Sequence, residues 1–305
     1  MSSAHQLIGL QESSETHQSP AHIIGIIDGP IQTGHANLSG ANIRVVHNGH
    51  TACESAGSPA CVHGTFVAGV LAADRNSTAP GIVPSAQLVS HPLFCEASDL
   101  KQCPVVTPQH LGDALHRVMD AGARIINLSL GLSQTTLGKD PGLHKAFDRA
   151  FQQGVLIAGA SGNQGRIGHN PLFDHPWVIP VAACNHLGQI ASDSNLGKSL
   201  GRRGLLAPGV QVEGILSTGG YTRMSGTSVA TPFVTGCMAR LWQEFPQASA
   251  KDIHEAILLG NNNNRKGIIP PVLHMPSSRS FLSARFTNKP TTTYTTRSMP
   301  LAGVN

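Results

Sequence analysis

The chain has 305 residues, 40% of them apolar and 12% charged, with 33 glycines and 20 prolines. The apolar share excludes a disordered or fibrous chain, and a charged share about half the usual ~25% describes a compact body with many tight connections. The net charge of +4 is spread thinly: the densest basic pairs, Arg202-Arg203 and Arg265-Lys266, fall short of a nucleic-acid-binding stripe, and the longest apolar run, Phe66 to Ala73, is far below the ~18 residues of a membrane span.

Residues 1–19 are polar and read as a loose extension. The first Lys or Arg is Arg44, so no positive segment precedes an apolar core as in a secretory signal; a cytoplasmic location is expected, with export by another route or a missing native N-terminus as the alternatives. His22–Ile27 (HIIGII) then opens a series of strand-length apolar runs, continued by Gln87–Ser90, Arg124–Leu130, Val155–Ala160 and Val178–Cys184. Such near-continuous runs fit strands buried on both faces. Between them, Pro108–Ala121 sets Leu111, Ala114, Leu115 and Val118 at helical spacing, and Pro141–Gln153 does the same with Leu143, Ala146, Phe147 and Ala150. Gly122 and Gly154 stop these two helices. Thr227–Glu244 reads as a long apolar helix, and Ala248–Leu259 as another with Ser249 as its N-cap. The alternation predicts an α/β three-layer sandwich with a mostly parallel central sheet. One domain over 20–275 is expected, followed by a Ser/Thr/Pro-rich flexible tail or linker over 276–305.

The six cysteines include no CxxC pair, which argues against a zinc ribbon. Cys53/Cys61 and Cys95/Cys103 lie in Gly-, Pro- and Ser-rich loops, where they could close small disulfide rings or stay reduced in a cytosolic compartment. Cys184 and Cys237 read as buried thiols.

Three segments set a reactive side chain beside glycines at the edge of an apolar element. Asp28 ends the strand IIGIID, where a buried carboxylate needs hydrogen-bonding partners; on its own it could simply cap the Gly29-Pro30 turn. His63 opens HGTFVAG, although one histidine among 16 says little alone. Ser228, in GTSVATP, starts the long helix, where the dipole favours negative charge, and by itself is an ordinary cap residue. Asp, His and Ser in that order match one of the chain orders in which a nucleophile, base and orienting acid are assembled.

Five segments together, IIDGP, HGTFVAGV, INLSLG at 126–131, ASGN at 160–163 and SGTSVATP at 225–232, resemble the subtilisin-like (subtilase) serine peptidases from about His22 to Met238. The resemblance implies that His63 takes the proton of Ser228, that Ser228 forms an acyl-enzyme, and that Asp28 orients the imidazole. It further implies an oxyanion site made by the Asn163 side chain and the Ser228 backbone N–H. It assigns Leu128, Ser129, Leu130 and Gly131, with Gly159, Ala160, Ser161 and Gly162, to binding an extended peptide or protein by strand addition and to lining the pocket for the side chain before the cut. Gln164, Arg166 and His169 follow nearby.

The sequence departs from the family pattern in places. Phe66 stands where the family commonly has a second His outside the triad. About twenty residues precede the first strand, too few for a folding pro-domain. Asp74 and Asn76, in the segment 74–80, offer fewer oxygens than the about six to eight that calcium wants, so no cofactor is required and a structural calcium is left open. The Asp-Gly-Pro string and the polar N-terminus also resemble the cyanobactin-type peptide-maturation proteases, which implies a precursor-peptide substrate. The alternatives are a peptide transamidase using the same residues, a catalytically silent peptide-binding pseudo-protease, and an esterase-like hydrolase. The last would need Asp252 and His254, which face different sides of one helix.

Overall fold

The computed structural model describes residues 2–10, 22–46, 53–84, 86–96, 105–130, 140–261 and 265–287. The middle layer is a parallel sheet formed by β1 (Ile23–Asp28), β2 (Asn42–Val45), β3 (Gln87–Pro92), β4 (Ile125–Leu128), β5 (Leu156–Ala160), β6 (Val178–Cys184) and β7 (Leu205–Pro208). Its order is β2-β3-β1-β4-β5-β6-β7, with every pairing parallel. Strands β4, β5 and β6 are buried at every residue, as helices on both faces require.

One helical layer is α3 (Pro108–Asp120) with α4 (Pro141–Gln153); the other is built on α2 (Pro59–Ala72) and α6 (Thr227–Glu244). Both α3 and α4 bury the apolar stripe expected from their spacing. Gly154, left-handed at φ 64°, ends α4. Helix α6 is buried on nearly all sides from Thr227 to Gln243, which explains its lack of a polar face. The predicted three-layer α/β architecture is the one observed. Among the described residues no helix is long and apolar enough to cross a membrane.

Both ends of the domain differ from the sequence expectation. Residues 2–10 are not loose: α1 (Ser3–Leu7) leads into Ile8 and Leu10, which are buried, and Ile8 accepts the Met275 N–H at 2.8 Å. A five-residue helix is too short to display a period. Residues 11–19 lie outside the described residues. The domain also runs past 275, because α8 (Met275–Thr287) packs on α7 (Ala250–Leu259). Met275, Ser278 and Leu282 are buried along one stripe, and Arg279 grips Glu244 with two hydrogen bonds of 2.7 and 2.9 Å. A serine in the middle of that stripe disguised it as a polar tail. Residues 288–305 lie outside the described residues. The short strands β2 and β7, the helix α5 (Lys198–Arg203), and the antiparallel hairpin of β8 (Val212–Ile215) and β9 (Tyr221–Met224) complete the fold beyond the predicted elements.

Cys53 and Cys61 form a disulfide. Cys95 is also disulfide-bonded, while its expected partner Cys103 lies outside the described residues. Cys184 and Cys237 are free and buried, and burial pushes both thiols up to about 12.

Candidate active site

The carboxyl ends of the three neighbouring strands β1, β4 and β5 converge, which is where open parallel sheets present their sites. Ile27, Leu128 and Gly159 lie in one register row, so Asp28, Ser129 and Ala160 each stand one residue further on. Helix α2 begins above this rim with Ser58 as N-cap, its hydroxyl accepting the Cys61 N–H at 3.1 Å, and with Pro59 in the first turn. Two glycines let that turn rest on the end of β1. A Cβ on Gly29 would lie 2.0 Å from the Ala60 carbonyl oxygen, and one on Gly64 would lie 2.3 Å from the Gly29 oxygen.

The close approach brings His63 Nδ1 to 2.6 Å from Asp28 Oδ1 and His63 Nε2 to 2.9 Å from Ser228 Oγ. Asp28 is fully buried, and its Oδ1 also accepts the Gly29 N–H at 2.6 Å. Burial of the imidazole by itself lowers its pKa, but the Asp28 charge and hydrogen bond outweigh this and hold His63 above its ordinary 6.5.

Asn163 follows β5 at the same rim. Its Oδ1 accepts the Thr227 N–H at 2.8 Å, which leaves the amide NH₂ beside the serine. A Cβ on Gly226 would lie 3.0 Å from Asn163 Nδ2 and 3.5 Å from Ser228 Oγ, at a φ of +143°, so a glycine is needed at this point. Gly226 gives α6 no side-chain cap, leaving the positive end of the helix to face the site. Thr227 Oγ1 in turn accepts the Gly162 N–H at 3.0 Å, locking the 160–163 segment to the helix start.

The predicted substrate segments divide. Gly159 and Ala160 belong to β5, which is paired on both sides, and Ser161 N–H donates to the Val181 oxygen at 2.9 Å. The Ser161 oxygen accepts from Asn195 Nδ2 at 3.1 Å, and the Gly162 oxygen accepts the Asn195 N–H at 2.8 Å. Residues 159–162 therefore offer no free ladder for an added strand. Leu128 ends β4, Leu130 is buried, and the Ser129 hydroxyl points to α6, donating to the Ser228 carbonyl at 2.7 Å. Gly131 lies outside the described residues. Asn127, Thr227 and Asn195 were missed by the sequence reading. The available signal was a buried asparagine inside the apolar string of β4, since such a group must find partners.

The esterase-like set does not assemble. Asp252 binds Ser249 and pairs with Arg285 at 3.0 Å, while His254 stacks on Trp177 with ring centroids 4.5 Å apart. In the segment 74–78, Asp74 Oδ1 accepts the Asn76 N–H at 2.7 Å, and Ser77 Oγ lies 3.2 Å from the Tyr221 hydroxyl. The same hydroxyl accepts from Thr78 N–H at 3.2 Å and Asn37 Nδ2 at 3.0 Å. The Ser77 and Thr78 bonds draw the Tyr221 pKa down to about 8. Among the described residues, the one group of His, Cys, Asp and Glu within metal-ligand reach is Cys53, Cys61 and Glu96. The two sulfurs are joined to each other, and Glu96 accepts from Glu54 N–H, Ser55 N–H and Ser58 Oγ at 3.0–3.1 Å.

An aspartate, histidine and serine in line at the carboxyl ends of a parallel sheet, with an asparagine amide beside the serine, have the arrangement of a subtilisin-like serine hydrolase site. The chain belongs to the subtilase family, whose model matches residues 20–270. It is 34% identical over 196 residues to a thermostable alkaline protease of Halalkalibacterium halodurans, covering 64% of this chain and 51% of that protein. It is 28% identical over 239 residues to subtilisin DY of Bacillus licheniformis, covering 77% of this chain and 81% of that one. The chain thus spans about half the length of the first of these relatives. Among solved structures, the prenylagaramide maturation protease PagA superposes with a TM-score of 0.76 at 27% identity, covering 89% of this chain and 96% of the other. The narrower likeness to cyanobactin-type maturation proteases is therefore present in the structure as well as in the short Asp-Gly-Pro string.

Proposed function

We propose that the chain is a serine endopeptidase in which Ser228 is the nucleophile, His63 the general base and acid, and Asp28 the group that orients and charges the imidazole. The observation that carries this reading is the in-line contact of 2.6 Å from Asp28 to His63 and 2.9 Å from His63 to Ser228. In this scheme Ser228 Oγ attacks the scissile carbonyl while its proton passes to His63 Nε2. The Asn163 amide and the start of α6 stabilise the resulting oxyanion. The C–N bond then breaks as His63 returns the proton to the leaving amine, and a water molecule repeats the sequence on the acyl-enzyme. An extended peptide or protein is the substrate class.

Likeness to a maturation protease favours a precursor peptide as the physiological substrate. The protein and its Ser228→Ala variant, incubated with a diverse peptide library and read by mass spectrometry, test both parts. Cleavage by the wild type alone supports the nucleophile, and a narrow sequence motif at the cut supports a processing role. Equal cleavage by both proteins removes Ser228 from the mechanism. Cyclised or ligated products would transfer the reading to a transamidase, and silence with every peptide, together with no fluorophosphonate labelling, to a peptide-binding protein.

A further inference from the structure

Helix α6 carries Pro232 one turn after Ser228. A proline has no N–H, so the carbonyl four residues earlier, that of Ser228 itself, loses its helical partner. The structure supplies another. Ser129, buried just past the end of β4, donates its hydroxyl to the Ser228 oxygen at 2.7 Å. Ser129 Oγ in turn accepts from Asn127 Nδ2 at 2.8 Å, and Asn127 Oδ1 accepts from Thr235 Oγ1 at 3.0 Å. Asn127 and Thr235 are both fully buried. This closes a loop from strand to helix and back, in which each side chain fixes the direction of the next. Strand β4 pairs directly with β1, which carries Asp28, and with β5, which leads to Asn163.

We propose that Ser129 is a positioning residue for the nucleophile: its hydroxyl replaces the hydrogen bond that Pro232 removes from the Ser228 carbonyl, and so ties the first turn of α6 to the strand that sets the heights of Asp28 and Asn163. This rests on the reading of Ser228 as nucleophile. Without the tie, the Ser228 carbonyl, half-buried at the start of α6, lacks a partner and its peptide can tilt, which moves Oγ relative to His63 Nε2. A small misplacement of a reacting atom is costly in rate while ground-state binding is little affected. Because the bond is needed only where residue 232 has no N–H, the effect of Ser129 depends on Pro232 in a way that a general packing role would not.

The test is the kinetics of labelling by a fluorophosphonate, with the modified residue located by mass spectrometry. Ser129→Ala should slow the maximal labelling rate about tenfold, with half-saturation changed less than about twofold. In a Pro232→Ala background, where the helix again offers an N–H to the Ser228 oxygen, the same substitution should cost less than about threefold. An unchanged rate in folded Ser129→Ala, or an equal loss in both backgrounds, overturns the proposal. Should Ser129→Ala not fold by circular dichroism, Thr235→Val carries the test. It loosens only the orientation of the network, with about threefold slowing expected and wild-type rate as the overturning result. Folded wild type that takes no label on Ser228 overturns the nucleophile reading, and this proposal with it.

Discussion

Asn163 and Thr227 hold each other across the site: the asparagine Oδ1 accepts the threonine N–H at 2.8 Å, and this single bond decides which end of the amide faces Ser228. The carbonyl is taken by the helix start, so the NH₂ is left on the side of Ser228, where the proposed mechanism develops negative charge on the substrate. Substituting Asn163 by Leu should lower kcat by about 10²–10³, equivalent to about 3–4 kcal/mol, with KM nearly unchanged, because the donor acts on the transition state. Asn163→Asp keeps the acceptor for Thr227 but places an anion beside the oxyanion, and should be at least as damaging. Steady-state kinetics on a peptide substrate check both, and a change confined to KM would remove Asn163 from the oxyanion site.

The Asp28–His63 contact predicts the pH profile. Since Nε2 must be unprotonated to accept the Ser228 proton, and His63 is held above its ordinary 6.5, activity should fall on the acid side with a midpoint above that value. Asp28→Asn removes the charge that raises the imidazole. It should shift the acid limb downward while lowering kcat by roughly 10⁴, the cost of a wrongly oriented tautomer. The effect on stability has the opposite sign. A histidine whose pKa is raised on folding stabilises the fold below its unfolded value, and that contribution disappears as pH rises through the folded value. Thermal melts of wild type and Asp28→Asn across this window separate the two effects.

Cys61 lies in the first turn of α2, two residues before His63, so the disulfide to Cys53 fixes the loop that leads into the helix carrying His63. A ring of this size should contribute about 2–3 kcal/mol in the chain-entropy model. Replacing both cysteines by serine should lower the melting temperature accordingly. Because Glu96 also holds residues 54, 55 and 58, and Ser217 Oγ donates to the Ala56 oxygen, amide exchange should rise at the start of α2 without global unfolding. A double variant with the wild-type melting temperature would show that Glu96 and Ser217 suffice.

Much of the site was legible because its requirements are local. Asp28 ends a buried strand, Ser228 starts a helix, His63 lies one turn into another, and the small residues that permit close approach stand beside them in sequence. The central strands were legible for the same reason: burial on both faces leaves an unbroken apolar string, as in Val178–Cys184. What escaped depends on distant partners. Helix α8 is held by Glu244 and by the buried pair Ser278 and Asn261, 2.9 Å apart, none of which its composition reveals. The resemblance assigned segment 159–162 to strand addition, yet Asn195 from a loop further along the chain takes polar groups of its backbone. Asn127 could be recognised as a buried polar group, but that its network ends on the carbonyl of Ser228 follows only from the fold.

His254 provides a stability test away from the site. Its ring stacks on Trp177 with a 7° interplanar angle, and Trp177 meets Phe151 edge-on. Burial, reinforced by the Arg203 charge and opposed by a bond at the Trp177 backbone and by Glu255, brings its pKa down to about 4. The fold therefore prefers the neutral ring, and the sign is that of a depressed group: stability is complete above the unfolded value of about 6.5 and is lost as pH falls toward 4. The full difference corresponds to about 3 kcal/mol, an upper figure for a side chain that retains some exposure. His254→Phe keeps the stacked ring and removes the titrating group. Its unfolding free energy should therefore be flatter than that of wild type between pH 6.5 and 4, by urea melts at each pH. Equal slopes in the two proteins would move the acid sensitivity to other buried histidines, of which His175, whose pKa burial likewise lowers, is the next to substitute.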